Sequence, residues 1–487
     1  MIGLSTAAEV RAAEDVLLAA GREGALMQRA ATGLAVVCLR LLGRAHGARV
    51  TLLVGAGNNG GDALFAGAQL AARGARVTAV LFDADRAHPA GLAALRRAGG
   101  RVTGPEGPDG LDRADLVLDG IVGIGGRGGL RTEAARLAER AATGPGLTVA
   151  VDVPSGVDAD TGAVEGAAFA AVHTVTFGAV KPGLVVGEGR GYAGTVHLVD
   201  IGLAPHLAPA RAHQLTDADV AAHLEPPGPT DDKYSRGVVG VVAGSAVYPG
   251  AAVLCTGAAL RTRPGLVRYA GTAADGVRAA WPEAIVTDGR PGDAGRVQAW
   301  VAGPGMGTDD DARSVLAEVL ATDLPVVVDA DALTMAAREP DLVRGRTAPT
   351  VLTPHDREFE RFGVPVGGDR ISSARRLAAD LGAVVLLKGD ATVVAAPDGT
   401  AFVNATGTSD LATAGSGDVL SGVLGSLLAA GTPAAETAAA AAHLHGRAGQ
   451  IAAARGPILA SDLVRVLPDT VGRVRGGGDA LLGHSGA

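Results

Sequence analysis

The chain is poor in cysteine, in aromatic side chains and in net positive charge. Only Cys38 and Cys255 occur in 487 residues. That excludes a disulfide framework or a cysteine-built metal site, and it points to a reducing compartment. Aromatic residues make up 3% of the chain, so its cores must be packed with Ala, Val, Leu and Gly, which suits close seating of helices on sheets. The formal net charge is −8. This excludes a non-specific nucleic-acid binder, but not a phosphorylated ligand held by a few local donors. Long unbroken apolar runs are also missing. Gly237 to Leu260 is interrupted by Gly244, Pro249, Gly250 and Gly257, and Val419 to Ala435 by Gly422, Gly425, Gly431 and Pro433. Neither reads as a membrane span, and the early charges Glu9, Arg11, Glu14 and Asp15 do not fit a signal peptide. The expectation is a soluble, cytoplasmic protein with no membrane or nucleic-acid partner.

What is present is a repeated α/β pattern. The length predicts two or more domains. A helical region spans 5–45, and strands are then expected at 50–54, 76–82, 115–118, 147–151, 173–177 and 195–200, with helices between them such as 63–73 and 132–142. Such alternation predicts a doubly wound sheet with ligands at the carboxyl ends of its strands. Pro205, Pro209, Pro226, Pro227 and Pro229 then mark a linker. A second series places strands at 237–243, 297–302, 324–329, 350–353 and 383–387 and a hairpin of 392–396 with 401–403. Its helices are expected at 250–261, 309–320, 371–381, 411–428 and 433–455. The resulting boundaries are a first domain over 1–205, a linker over 206–232, a second domain over 233–467 and a flexible tail over 468–487.

Four blocks stand at strand ends of the first half. They are Asn58-Asn59-Gly60-Gly61-Asp62, Asp119-Gly120-Ile121-Val122-Gly123-Ile124-Gly125-Gly126-Arg127-Gly128-Gly129, Asp152-Val153-Pro154-Ser155-Gly156-Val157-Asp158 and Phe177-Gly178-Ala179-Val180-Lys181-Pro182-Gly183. Gly123 to Gly129 can wrap a diphosphate, since glycines let backbone N–H groups approach phosphate oxygens. Asn59, Asp119 and Ser155 offer hard oxygen ligands of low total charge, which suit a monovalent cation. Asp152 beside Lys181 can serve as a general acid/base. Gly55 to Gly60 also matches G-x-G-x-x-G, with Asp83 about twenty residues on as a ribose ligand. An NAD-dependent dehydrogenase is therefore a rival on residues alone.

Taken together, the four blocks resemble the NAD(P)H-hydrate epimerase (YjeF N-terminal) family, over about residues 1–205. The resemblance implies a Rossmann-like fold and interconversion of the R and S forms of NADHX and NADPHX. It implies hydrate contacts at Asn58, Asn59, Gly60, Gly61 and Asp62, at Gly123, Ile124, Gly125, Gly126, Arg127, Gly128 and Gly129, and at Asp152. It implies potassium ligands at Asn59, Asp119 and Ser155. Ala63 stands where that family commonly has Gly.

The second half carries its blocks at strand ends too. They include Tyr248-Pro249-Gly250-Ala251-Ala252, Gly303-Pro304-Gly305-Met306-Gly307, Asp329-Ala330-Asp331-Ala332-Leu333 and Leu352-Thr353-Pro354-His355. Leu387-Lys388-Gly389-Asp390-Ala391-Thr392 and Gly415-Ser416-Gly417-Asp418 complete the set. A Gly-rich turn at a helix start stabilises negative charge on a transferring phosphoryl group. An Asp there can accept a hydroxyl proton in line. Lys388-Gly389 with Thr392 fits nucleotide binding. In this order the blocks resemble the ADP-dependent NAD(P)H-hydrate dehydratase (YjeF C-terminal) family, of ribokinase-like fold, from about Lys233 to Val466. The resemblance implies hydrate contacts at Ala251, Gly305, His355 and Asp418, and nucleotide contacts at Lys388, Gly389, Asp390, Ala391, Thr392 and Gly417. Asp418 is then the general base, ADP the co-substrate and Mg2+ its companion. Homo-oligomerisation is a further expectation. A ribokinase-type kinase and a catalytically idle nucleotide-binding module are the remaining rivals.

Overall fold

The computed structural model describes residues 1–21, 23–106, 110–263 and 265–477. It divides into two compact units, Gly3–Ala212 and His213 onward, the latter including Met1–Ile2. A short strand, β1 (Ile2–Leu4), opens the chain.

In the first unit the helical region forms two helices, Ala7–Ala19 and Glu23–Leu42. The strands are β2 (Arg49–Val54), β3 (Arg76–Leu81), β4 (Arg101–Thr103), β5 (Leu116–Gly120), β6 (Leu147–Val151), β7 (His173–Phe177) and β8 (Thr195–Val199). They form one sheet in the order β4-β3-β2-β5-β6-β7-β8, with every pair parallel. Leu52, Val54, Leu118, Val149 and Val151 face one core layer, closed by Leu34 and Cys38 of one helix and Leu64 of another. Leu53, Val117 and Ala150 face the opposite layer with Leu137. Strands buried on both faces explain the near-continuous apolar runs. The helix Gly24–Leu42 is long and apolar enough to cross a membrane by length and composition, yet Leu26, Ala30, Ala31, Leu34 and Cys38 are buried in this core.

The second unit adds β9 (Ala212–Gln214), β10 (Val238–Val242), β11 (Leu266–Ala270), β12 (Ile285–Thr287), β13 (Ala299–Ala302), β14 (Val326–Val328), β15 (Thr350–Leu352), β16 (Val384–Leu387), β17 (Thr392–Ala395) and β18 (Ala401–Asn404). The sheet order is β1-β9-β18-β17-β16-β15-β14-β13-β10-β11-β12. Pairing is parallel from β12 through β16 and antiparallel for β16-β17 and β17-β18. The α/β class matches expectation, with a parallel first sheet and a second sheet that carries the expected hairpin as β17-β18.

Several boundaries differ. Residues 206–232 are not a bare linker, because they hold β9 and the helix Asp217–Ala221, and Leu215, Val220 and Leu224 enter the second core. Asp217 ties this segment down, accepting from Arg447 Nε and Nη2 at 3.0 Å and meeting His443 Nε2 at 2.5 Å. The expected tail begins too early. A helix runs Ala460–Arg475 through Pro468, and Val464, Leu467, Val471 and Val474 form one buried stripe at helical spacing. The rest of that tail, 478–487, lies outside the described residues. Strand β11 carries Arg268 at its centre, which hid it from an apolar-run reading. Arg268 Nη1 donates to Ala294 O at 2.7 Å.

Candidate functional sites

In each sheet the strand order reverses beside the first central strand, between β2 and β5 and between β10 and β13. Ligands collect at such switch points, at the carboxyl ends of the strands.

At the first switch point Asn58–Asp62 is not the loop before a helix but the helix's own first turn, Asn58–Ala71, capped by Gly57. The helix starts tight against the next strand end, because a Cβ on Gly55 would stand 2.0 Å from Ile121 O. Where Ala63 departs from Gly, its Cβ lies 2.6 Å from the place a Cβ on Gly120 would take. Gly120 therefore makes room for Ala63.

Asp119 at the end of β5 is fully buried and accepts from Ser155 N (2.8 Å), Ser155 Oγ (2.7 Å) and Ile121 N (3.2 Å). Burial raises its pKa to about 6 even against those hydrogen bonds. Ser155 Oγ also lies 2.9 Å from Val122 N and 3.1 Å from Val122 O. The Asn59 amide abuts Gly123, and its Nδ2 is buried without a partner among the described residues. A carboxylate matched only by neutral donors and an orphaned amide side chain fit a cation between them, since amide O and N are assigned rather than seen.

Asp152 sits just past β6 with φ at 68°, a left-handed value rare outside glycine. The turn aims its carboxylate into a buried cluster. Oδ1 accepts from Lys181 Nζ (2.6 Å), Thr176 Oγ1 (3.1 Å) and Phe177 N (3.2 Å). Lys181 is 1% exposed, and its Nζ also donates to Phe177 O at 2.9 Å. Lys181 is thus no solvated surface lysine.

Two more carboxyls enter the same space. Burial, then the charges of Asp152 and Glu14, push Asp62 well above the ordinary carboxylate range. Burial and Asp152 likewise raise Glu14. The helix bearing Glu14 is pinned at its start by Ser5 N to Val180 O (3.0 Å) and one turn before Glu14 by Arg11 Nη2 to Ile124 O (3.0 Å). Within the loop Gly123–Gly129, Gly126 N donates to Gly123 O, Gly129 packs on Glu165–Ala167 and Arg127 and Gly128 are exposed.

At the second switch point Gly415, with φ at 86°, caps the helix Ser416–Leu428 and puts Asp418 in its first turn. Burial and the charges of Asp329 and Asp331 raise Asp418 to about 7, against the opposing pull of Lys388. Lys388 Nζ lies 2.9 Å from Asp329 Oδ1 and 3.7 Å from Glu358 Oε2. Burial works against its charge, but these carboxylates outweigh it and its pKa is raised. Asp329 Oδ2 accepts from Ser421 Oγ at 2.8 Å, and the following Ala330 is left-handed at 48°. A Cβ on Gly417 would stand 3.5 Å from Lys388 Nζ, so this glycine keeps the space above the lysine open.

The remaining expected residues lie around this centre. Gly305 packs against Ala251 and Tyr248, whose Cβ atoms would be 2.9 Å from a Cβ placed on it. Gly307 N donates to Asp331 Oδ2 at 2.9 Å. His355 is half exposed, and its Nδ1 caps the helix Asp356–Glu360 by accepting from Arg357 N (3.1 Å) and Glu358 N (3.3 Å). The turn Lys388–Ala391 joins β16 to β17, and Arg370, paired with Asp356, donates to Lys388 O at 2.9 Å. Thr392 is buried and bonds Gly389 O, as Ser416 bonds Leu411 O.

Sequence reasoning assigned no role to Glu14, Asp329, Asp331, Glu358 or Ser421. Asp329 and Asp331 had a signal, since both stand in a strand-end block; Glu14 had none beyond its place on an early helix.

Two parallel α/β units, each with a lysine–carboxylate pair and a second carboxylate of raised pKa at its switch point, define a two-site enzyme. The comparisons agree. The family described as NAD(P)H-hydrate dehydratase matches residues 239–469, and the YjeF-related protein N-terminus matches residues 23–183. A bifunctional NAD(P)H-hydrate repair enzyme of Mycobacterium leprae is 52% identical over 453 residues, 92% of this chain and 93% of that one. Its Escherichia coli counterpart is 35% identical over 436 residues, 85% and 84% of the two chains. The solved structure of a ribokinase-like superfamily protein from Enterococcus faecalis matches with a TM-score of 0.50 at 25% identity, over 55% of this chain and 98% of that one. The chain belongs to the family of bifunctional NAD(P)H-hydrate repair enzymes.

Proposed function

We propose that the first unit epimerises NADHX and NADPHX and that the second dehydrates the S form to the reduced nicotinamide with ADP as phosphoryl donor, in the cytoplasm. The pairing of a Lys–Asp couple with a raised-pKa carboxylate at each switch point is the observation that carries this reading.

In the first unit Asn58 to Asp62 and Gly123 to Gly129 flank the hydrate, and Asp152, fixed by Lys181, exchanges the proton of its hydroxyl. Asn59, Asp119 and Ser155 would hold potassium. The ion would supply positive charge beside the buried Asp119 carboxylate. In the second unit Ala251, Gly305 and His355 line the hydrate, and Lys388 to Thr392 with Gly417 hold the nucleotide. Magnesium with ADP would neutralise phosphate charge.

Asp418 takes the proton of the ring hydroxyl as its oxygen attacks the β-phosphorus, and AMP leaves. The C–O bond then breaks with its electron pair on phosphate. The neighbouring ring carbon gives its proton to water and the ring double bond returns. Phosphorylation turns a poor leaving group into a good one, which accounts for a dehydratase on a kinase-like sheet.

The test mixes the full chain with the S hydrate and ADP and follows the return of reduced-nicotinamide absorbance near neutral pH. Absence of recovery refutes the dehydratase; accumulation of a phosphorylated hydrate makes the unit a kinase. Asp418→Asn is expected to abolish recovery and leave epimerisation, and Asp152→Asn to do the reverse.

A further inference from the structure

Asp62 is 8% exposed, and its Oδ1 is buried with no hydrogen-bond partner among the described residues. An orphaned buried carboxyl oxygen costs free energy that a purely structural residue has no reason to incur. It stands in the first turn of the helix Asn58–Ala71, which packs against β6, the strand that leads directly into Asp152. The two carboxyls therefore belong to neighbouring walls of one site. Their partners differ. Asp152 is ion-paired with Lys181 and anchored through Oδ1 by two further donors. The charges acting on Asp62 are those of Asp152 and Glu14, both negative.

We propose that Asp62 is the proton donor of the epimerisation, working opposite Asp152 as the base. The inference rests on the epimerase reading of this site. Asp152 takes the proton of the ring hydroxyl, the carbon–oxygen double bond forms, and the ring C–N bond breaks with its electron pair on nitrogen. Asp62 delivers its proton to that nitrogen. The open aldehyde turns about its single bond and presents its other face. The nitrogen closes on that face, Asp62 recovers its proton, and Asp152 returns the other to oxygen. Atoms and charge balance without a co-reactant. Burial and two like charges raise its pKa, which favours the protonated form that the donor role needs.

The experiment follows conversion of the R hydrate of NADH to the S form by the full chain, with the epimers separated by chromatography. Asp62→Asn is expected to lower kcat by about 10²–10⁴-fold with KM within a few-fold, the range for loss of general acid catalysis. Asp62→Glu is expected to recover part of that loss. A kcat within about threefold of wild type, or a raised KM at unchanged kcat, overturns the proposal and leaves Asp62 a binding contact. Loss of hydrate binding in the Asn variant with no rescue by Glu overturns it in favour of a structural role. Inactive wild-type protein would sink the epimerase reading itself, a result no Asp62 variant can imitate.

Discussion

Asp418 gives the most direct handle on the second site. As a base it must be ionised, and burial with Asp329 and Asp331 raises it to about 7. About one-tenth of the free enzyme then carries the working carboxylate at pH 6, and about nine-tenths at pH 8. The kcat/KM for dehydration should climb through that interval with a slope near one and then level. A base at its ordinary pKa of 3.8 would give a flat profile there. Asp329→Asn sharpens the test. It removes the largest like charge acting on Asp418, and it releases Lys388, bound to Asp329 at 2.9 Å, to pair with what remains. Both effects lower the Asp418 pKa, so the acid limb should move down by about one unit or more. Lys388 keeps Glu358 at 3.7 Å, which limits the loss of stability. Stopped-flow or steady-state rates from pH 5 to 9, with folding checked by circular dichroism, provide the assay. A flat wild-type profile, or an acid limb that moves up in the Asn variant, would refute the assignment of Asp418 as base.

Gly120→Ala should bring a methyl within 2.6 Å of the Ala63 Cβ and cost about 1–3 kcal/mol by overpacking. Adding Ala63→Gly should return most of that loss, less about 1 kcal/mol for glycine inside a helix, as read from denaturant midpoints. Lys181→Met strands the Asp152 carboxylate beside a position only 1% exposed. It should cost about 3–5 kcal/mol and abolish epimerisation while dehydration of the S hydrate persists. Asp62→Asn should stabilise the first unit at neutral pH. With the folded pKa raised, the folded state holds more protons than the unfolded one above pH 3.8, so wild type loses stability as pH rises from there toward the folded value. The Tm advantage of the variant should shrink toward zero as pH falls below about 4.

The sites were legible where chemistry is local. A Gly-rich polar turn after an apolar strand marks a strand end, and all four blocks of the first half fall at strand ends. Asp152 and Lys181, read as partners from their strands alone, are 2.6 Å apart. Features set by three-dimensional packing were not legible. Glu14 reads as one more charge on an amphipathic helix, and long-range pins at Ser5, Ala7 and Arg11 seat that helix where Glu14 feels the charge of Asp152. Asp62 reads as a helix-start acid, and its raised pKa depends on burial and on residues distant in sequence. The prolines over 205–229 mask Leu215, Val220 and Leu224, which pack into the second core, because a segment flanked by prolines can still hold a short helix and bury its apolar side chains.

The two sites use the same parts toward opposite ends. Each places a non-glycine residue in the left-handed region, Asp152 in one and Ala330, after Asp329, in the other, at a cost of about 1–3 kcal/mol each. In each case the strained turn directs a carboxylate onto a lysine, Asp152 onto Lys181 and Asp329 onto Lys388. The second carboxyl then decides the chemistry. Asp62 is more deeply buried, and the charges of Asp152 and Glu14 push its pKa further up, which favours its acid form. Asp418 is less buried and feels Lys388, which holds it near neutrality, where it can ionise and accept a proton. Environments that push two carboxyls apart in this way separate acid from base. A ring opening that needs both roles at once is therefore matched to the first site, and a phosphoryl transfer that needs only a base to the second.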